Sequence, residues 1–142
     1  MRLGRVSQIE YQGIKEAFDI NALGILRMVE AFEPYLNDAS HPRILALTSL
    51  MGTIAKANSG SLGCRMSKAA LNMAMHVVAA ELAPRRITTA RLRLDHVRTS
   101  MAGPNGAISA SESAAAIMGV FDKISYQSKP RFLDLTGDPL SW

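Results

Sequence analysis

The distribution of apolar and polar positions divides the chain into helical and extended segments. The longest helical pattern spans residues 60–82, where apolar side chains recur every three or four positions along two stripes. The first stripe consists of Leu62, Met66, Ala69, Met73, Val77 and Ala80, and the second of Leu71, Met75, Val78 and Leu82. Both stripes have the period of a buried face. Such a helix is expected to pack against a sheet on one side and against another helix, from this chain or a second subunit, on the other.

Two capping-box patterns predict the starts of two further helices. Ser7 is followed by Glu10, and Ser109 is followed by Glu112. Pro34 is expected to end or bend the first of these helices. The helices are therefore expected over residues 8–36 and 109–124.

Three short apolar runs bounded by turn residues are predicted to be strands. They are RILALT at 43–48, ITTARLRL at 87–94 and RFLDL at 131–135. Arg91 and Arg93 alternate with leucines in the second run, which indicates that one face of that strand is in contact with water. The alternation of helices and strands predicts a parallel sheet in a single α/β domain over residues 1–142.

Composition narrows the class of protein. The 142 residues are 48% hydrophobic and 20% charged, as expected of one soluble globular domain. The single cysteine excludes an internal disulfide and fits a reducing compartment, so we expect the cytoplasm. No apolar run has the length of a membrane span, and the basic N-terminus does not read as a signal peptide.

The basic residues and histidines do not form a recognisable site. The arginines at 85, 86, 91, 93 and 98 have no interleaved aromatic residues for base stacking, so they are interpreted as a solvated edge and nucleic-acid binding is not expected. The histidines at 41, 76 and 96 lack the spacing of metal ligands, so no metal site is expected.

Five segments, in order and at suitable spacing, point to a known family. They are FDINALGILRMVEAFEPYL (18–36), ILALTSLMGTIA (44–55), CRMSKAALNM (64–73), VRTSMAGP (97–104) and SESAAAIMGVFD (111–122). Together they resemble the C-terminal half of a short-chain dehydrogenase/reductase, most closely the C-factor-like branch of small carbonyl reductases. The resemblance implies a partial Rossmann-like, doubly wound parallel sheet of about three strands with flanking helices, whose N-terminal dinucleotide-binding half is missing. It also implies NAD(P)-dependent oxidation or reduction of a small carbonyl or alcohol.

The resemblance assigns roles to individual residues. Asn21 matches the family's asparagine that holds a water in a proton relay, and Ser49 matches the serine that hydrogen-bonds the substrate carbonyl. Lys68 matches the lysine that binds the nicotinamide ribose and lowers the pKa of the catalytic tyrosine. Val97 and Thr99 fall in the segment that contacts the cofactor.

The position of the catalytic tyrosine is occupied by Cys64. A thiol ends much closer to the backbone than a phenol does, and proton transfer needs heavy atoms within about 3 Å, so we expect Cys64 not to reach a bound carbonyl oxygen. Two interpretations stay open. Cys64 is either a small, partly buried replacement for tyrosine or a reactive thiol activated by Lys68 and the helix N-terminus.

Two further departures concern the cofactor. The 142 residues contain no Gly-rich fingerprint for a dinucleotide pyrophosphate and no matching residue that would select NAD or NADP. Leu94, Asp95 and His96 stand where the family usually has Pro-Gly. Binding of NAD(P) by this chain alone is therefore doubtful on sequence grounds.

The family's dimer interface suggests a partner. It is built from two long helices that match residues 8–36 and 61–83, so we expect a homo-oligomer. The strand at 43–48 would lack a neighbour on one side, and such an edge invites association. Two functions remain: an oxidoreductase that is inactive as this isolated chain, or a non-catalytic pseudoenzyme or dimerisation partner.

Overall fold

The computed structural model describes residues 8–100, 103, 105–127 and 130–141. Its helices are α1 (Tyr11–Phe18), a π-helical segment (Asp19–Leu23), α2 (Gly24–Leu36), α3 (Leu62–Leu82) and α4 (Ala110–Lys123). Its strands are β1 (Arg43–Thr48), β2 (Thr88–Arg93) and β3 (Arg131–Leu133). The predicted order of elements is confirmed, and the strands β2 and β3 are shorter than expected.

The three strands form one parallel sheet in the order β1-β2-β3. Two apolar clusters cover its two faces. The first joins α3 to β1 and α2 through Ala46, Leu71, Met75, Val78, Leu82 and Ile87, with Ile25, Val29, Leu36 and Ile44 packed against them. The second joins α4 to β2 and β3 through Ala90, Leu92, Val120, Ile124 and Leu133. Helices on both faces of a parallel sheet confirm the predicted Rossmann-like α/β class.

The first helical region differs from the prediction at its start and in its middle. Ser7 lies outside the described residues, and α1 begins at Tyr11 with Glu10 as its N-cap, whose carboxylate accepts a hydrogen bond from the Gly13 amide at 2.8 Å. Glu10 therefore caps the helix, and the predicted capping box at Ser7 lies outside the described residues. Pro34 lies inside the last turn of α2 and does not end it.

The second predicted capping box is confirmed at α4. The Ser109 hydroxyl accepts from the Glu112 amide at 3.2 Å, and the Glu112 carboxylate accepts from the Ser109 amide at 2.7 Å. These bonds lower the pKa of Glu112 because they favour its charged form. Two of the helix's orphan N–H groups are satisfied in this way.

The two stripes of α3 have different environments. The stripe through Leu71 and Met75 is buried on the sheet, whereas Met66, Met73 and Val77 of the other stripe are 42%, 49% and 48% exposed. The interpretation of that stripe as a buried face is wrong for the single chain. The physical reason is that α3 has only one face toward the sheet, and its outer face has no cover among the described residues.

The environment of Arg91 on β2 contradicts the prediction that one face of this strand is in contact with water. Arg91 is only 4% exposed, its Nη1 donates to the Asn72 carbonyl at 3.2 Å, and its guanidinium lies 5.8 Å from the centre of the Phe132 ring. Burial lowers the pKa of Arg91. Arg91 thus faces α3, and the Asn72 carbonyl and the Phe132 ring replace the water that the pattern suggested at this position. Arg93 is partly exposed and pairs with Asp95.

The other arginines of the supposed solvated edge have partners within the chain. Arg85 pairs with Glu33, Arg93 with Asp95 at 2.5 Å and Arg98 with Glu112 at 3.5 Å, while Arg86 lies 5.0 Å from the Tyr126 ring centre. Their charge is therefore distributed over separate local contacts. Within the described residues, no helix combines the length and the apolar composition that crossing a membrane requires.

Candidate active site

The candidate residues gather where β1 ends and α3 begins. Ser49 directly follows β1 and caps a short 3-10 turn at Leu50–Gly52, where its Oγ accepts from the Met51 amide at 3.2 Å. That bond uses a lone pair of the hydroxyl and leaves its hydrogen available to donate. The carboxyl ends of parallel strands are the edge at which open α/β sheets bind ligands.

A close backbone contact holds this turn against α3. A Cβ added to Gly52 would lie 2.7 Å from the Lys68 carbonyl carbon and oxygen and 2.7 Å from Asn72 Nδ2. Only glycine lets the turn approach the helix so closely. Ser49, three residues away, is thereby fixed relative to the first turns of α3.

Asn72 joins the same turn to β1 through buried hydrogen bonds. Its Oδ1 accepts from Thr48 Oγ1 at 2.8 Å, and its Nδ2 donates to the Gly52 carbonyl at 3.3 Å. Asn72 is fully buried, and Thr48 nearly so. Sequence reasoning missed both residues, although a polar side chain adjoining the buried stripe between Leu71 and Met75 was a usable signal.

Cys64 lies beside the turn that carries Ser49. The thiol is partly buried, and its Sγ is 3.9 Å from the Met51 sulfur. The Met51 amide also donates to Ser49 Oγ, so Met51 contacts both Ser49 and Cys64. Both interpretations of Cys64, as a small replacement for tyrosine and as a reactive thiol, stay predictions.

Lys68 lies one helical turn after Cys64 on the same face of α3. Burial lowers the pKa of Lys68, and the charge interaction with Cys64 opposes that shift. A lysine held half-buried at the mouth of the site is suited to donate hydrogen bonds to hydroxyl groups such as those of a ribose.

Asn21 contacts α3 from the π-helical segment. Its Nδ2 donates to Ser67 Oγ at 3.0 Å, and the fully buried Ser67 hydroxyl donates to the Cys64 carbonyl at 3.1 Å. The segment is wider than an α-helix, since the Gly24 amide bonds to the Asp19 carbonyl five residues back. Single π turns within helices often mark functional positions. No local sequence pattern predicted this π turn, and a water-holding role for Asn21 stays a prediction.

Val97 and Thr99 lie in the loop after β2. Val97 forms a bridge with Ile108, and Thr99 forms one with Gly103. Because the carboxyl ends of parallel strands share one edge, this loop lies at the same edge of the sheet as Ser49. The expected cofactor contacts of Val97 and Thr99 stay predictions.

The residues fit only one end of a dinucleotide. The turn at Leu50–Gly52 brings Ser49 next to the first turns of α3, which carry Cys64 and Lys68. The Ser49 hydroxyl and the Lys68 ammonium are donors that would suit a carbonyl oxygen and a ribose hydroxyl. The Gly-rich strand-to-helix turn that receives a pyrophosphate does not occur in the sequence. The fit to NAD(P) is therefore limited to the nicotinamide side.

A cavity of about 600 Å³ at the opposite edge of the sheet is not part of this site. Helices α2, α3 and α4 end there, and arginines line it. Arg43 donates to the carbonyls of Phe121 at 3.1 Å and Asp122 at 3.3 Å, at the end of α4. Arg43 thereby satisfies orphan carbonyls and the dipole of α4. Arg85 and Arg86, the other arginines of this cavity, have Glu33 and the Tyr126 ring as partners, so all three are explained without a ligand.

Comparison with known proteins identifies the family. The family model described as enoyl-(acyl carrier protein) reductase matches residues 2–122. The C-signal protein of Myxococcus xanthus is 34% identical over 138 residues, which cover 96% of this chain and 83% of that protein. The chain belongs to the short-chain dehydrogenase/reductase family. A 1-hydroxy-2-glutathionyl-2-methyl-3-butene dehydrogenase of Rhodococcus is 29% identical over all of this chain and 64% of its own length.

Solved structures show the same fold. Carbonyl reductase Sniffer of D. melanogaster superimposes on 100% of this chain with a TM-score of 0.91 at 24% identity. A short-chain dehydrogenase/reductase of Burkholderia multivorans with bound NADP covers 99% with a TM-score of 0.85 at 25% identity. The present chain spans only 62% and 60% of those two chains. The chain thus corresponds to about three fifths of the length of these two solved relatives.

Proposed function

We propose that this chain carries the substrate-side half of an NAD(P)-dependent carbonyl or alcohol oxidoreductase site and is inactive as an isolated chain. The observation that carries the proposal is the grouping of Ser49, Cys64 and Lys68 at the carboxyl edge of the sheet. The contact between Gly52 and α3 fixes that group. The N-terminal dinucleotide-binding half has to come from further polypeptide.

The chain's own residues would act on the substrate oxygen. The Ser49 hydroxyl donates to a carbonyl oxygen, since its own oxygen already accepts from the Met51 amide. Lys68 donates to the ribose, and Asn21 extends the polar path into the helix layer through Ser67. NAD(P), when bound, supplies the hydride for the carbonyl carbon.

Cys64 is poorly suited to donate the proton that this arrangement requires. The proton for the substrate oxygen would come from the residue at this position, and a thiol ends several bonds short of a phenol hydroxyl. Loss of a positioned general acid typically lowers the rate by about 10²–10⁴-fold. Activity is therefore expected to be low even when the missing half is present.

Replacing Cys64 by tyrosine tests whether proton donation at this position limits the activity. In a chimera that joins the chain to the unspanned part of carbonyl reductase Sniffer, Cys64→Tyr should raise NADPH-dependent carbonyl reduction at least about tenfold. Cys64→Phe, which adds the ring without the hydroxyl, should give no such gain. Equal rates for the tyrosine and phenylalanine variants would remove Cys64 as the cause of inactivity.

We also infer a homo-oligomer formed through the helices within residues 8–36 and 61–83. The exposed methionines and valine of the α3 stripe support it, together with Ile20 and Leu23, which are exposed on the adjoining helix. Val77→Asp should halve the mass measured by light scattering, because burying an unpaired carboxylate is unfavourable. A wild-type protein that is already monomeric would contradict this inference.

The alternative function is a non-catalytic pseudoenzyme or dimerisation partner. The exposed stripe of α3, with Met66, Met73 and Val77, favours this alternative, because association through it needs neither Cys64 nor a bound cofactor. In both cases we expect a cytoplasmic protein, since the single cysteine suits a reducing compartment. A chimera that stays inactive with Cys64→Tyr but forms dimers would support the alternative.

A further inference from the structure

One buried side chain of α3 holds the backbone on both sides of Ser49. Asn72 Oδ1 accepts from the hydroxyl of Thr48, the residue just before Ser49, at 2.8 Å. Asn72 Nδ2 donates to the carbonyl of Gly52, three residues after Ser49, at 3.3 Å. The segment that carries Ser49 is therefore attached at its two ends to a single amide.

These two bonds use the two functional groups of a carboxamide. The Gly52 carbonyl can only accept, so Nδ2 faces it and Oδ1 is left for the Thr48 hydroxyl. An ionised aspartate at position 72 would have no donor for the carbonyl, and a leucine would have neither donor nor acceptor. Because Asn72 is fully buried, water cannot replace a bond that is lost on either side.

Strand β2 holds both partners of this attachment in place. The Asn72 carbonyl accepts from Nη1 of the buried Arg91 at 3.2 Å. The Thr48 carbonyl accepts from the Leu94 amide, just after β2, at 3.4 Å. The position of Ser49 therefore depends on the sheet as well as on α3.

The direction of the Ser49 hydroxyl depends on the attached segment. Ser49 Oγ accepts from the Met51 amide, and the Ser49 carbonyl accepts from the Gly52 amide at 3.0 Å. Both contacts lie inside the segment whose ends Asn72 holds. Release of either end would thus move the hydroxyl.

A stabilising role alone does not explain an amide at this position. Asn72 is flanked along α3 by Leu71 and Met75 of the first apolar cluster, where an apolar side chain would also pack. A fully hydrogen-bonded network inside such a core specifies one geometry. The geometry specified here is that of the turn that carries Ser49.

We propose that Thr48 and Asn72 are positioning residues, which hold the Ser49 hydroxyl where it can donate to the substrate oxygen. The proposal rests on the proposed function, in which Ser49 is that donor. Both side chains are buried, so they act through Ser49 and not by contact with the substrate. A donor that meets a developing negative charge acts mainly on the transition state, so its displacement lowers kcat more than it changes KM.

Amide hydrogen exchange in the 142-residue chain tests the positioning without any activity. Thr48→Val removes the hydroxyl and should speed exchange of the buried Gly52 and Thr53 amides at least about tenfold. The amides of Val78 and Ala79, in the interior of α3, report global unfolding and should speed up less.

Two matched variants serve as controls for this measurement. Thr48→Ser keeps the hydroxyl and should exchange like the wild type at Gly52 and Thr53. Thr88→Val makes the same substitution at a threonine that is 7% exposed, at the opposite edge of the sheet. It should leave exchange at the Ser49 turn unchanged.

A double-mutant cycle tests whether the two residues act through Ser49. In the Cys64→Tyr chimera with the unspanned part of carbonyl reductase Sniffer, Thr48→Val and Asn72→Ala should each lower kcat about 10–100-fold, with a smaller change in KM. Combined with Ser49→Ala, the same substitutions should lower kcat less than about twofold further. A loss of general stability would lower kcat equally with and without Ser49.

Two results would overturn the proposal. One is that Thr48→Val speeds exchange at Gly52 and Thr53 no more than at Val78. The other is an equal loss of kcat with and without Ser49. A Cys64→Tyr chimera that is inactive, or that Ser49→Ala does not affect, would instead refute the proposed function. The exchange measurement on the chain alone still decides whether the turn is held as proposed.

Discussion

Gly52→Ala is predicted to destabilise the protein by about 1–3 kcal/mol, the usual cost of forcing an extra methyl group into a packed contact. The added Cβ would lie 2.7 Å from each of three atoms, Asn72 Nδ2 and the carbonyl carbon and oxygen of Lys68. Two of these are backbone atoms of α3, which is packed on β1 through the first apolar cluster. The helix cannot yield without disturbing that cluster, so the strain falls on the turn that holds Ser49.

Urea unfolding followed by circular dichroism measures this cost. For a domain of this size the midpoint should fall by about 1 M, since the slope is about 1–3 kcal/mol per M. Gly119→Ala is the matched control, because a Cβ there meets no atom within 4 Å and the position is inside α4. That variant should gain about 0.5–1 kcal/mol. Shifts of the same sign in both variants would refute the reasoning.

Two other predictions concern α3. Asn72→Ala should cost at least about 2 kcal/mol, because it removes two buried hydrogen bonds, one from the Thr48 hydroxyl and one to the Gly52 carbonyl; a cost below that of an exposed Asn37→Ala control would contradict it. Lys68→Met should be more stable than wild type at neutral pH, because burial lowers the pKa of Lys68 and its charged form is disfavoured in the folded state. The unfolded chain holds that proton up to about 10.5, so wild-type stability rises with pH through the folded pKa and the difference narrows toward pH 10.5. A difference that stays constant in urea unfolding over this range would show that the charge is not its cause.

The regular elements follow from the sequence because their signals are local. The 3.6-residue period of α3, the capping box at Ser109 and the short apolar run of β1 each depend on neighbours within a few positions. The burial of Arg91 and the exposure of the Met66 stripe do not follow from local signals. Elements far away in the chain decide whether an arginine in a strand contacts water or a helix, and which of two apolar stripes is covered.

The candidate site also combines residues that local segments predict with contacts that depend on distant parts of the chain. The family resemblance predicts Asn21, Ser49 and Lys68 as site residues because they lie in recognisable segments. The contact that holds the Ser49 turn against α3 joins Gly52 to Lys68 and Asn72, residues sixteen and twenty positions away, and is not visible in a linear pattern. Asn72 was the accessible clue, since an amide beside a buried apolar stripe needs partners and those partners mark a fixed backbone.

In the proposed function the chain holds the substrate side of the site, and the dinucleotide pyrophosphate is bound by further polypeptide. A titration of the purified 142-residue chain with NADPH, followed by nicotinamide fluorescence and by thermal shift, tests this division. We expect no saturable binding by the folded chain alone, and saturable binding once the unspanned half of a relative is joined to it. Saturable binding by the isolated chain would overturn the proposal, because its own residues would then complete the cofactor site.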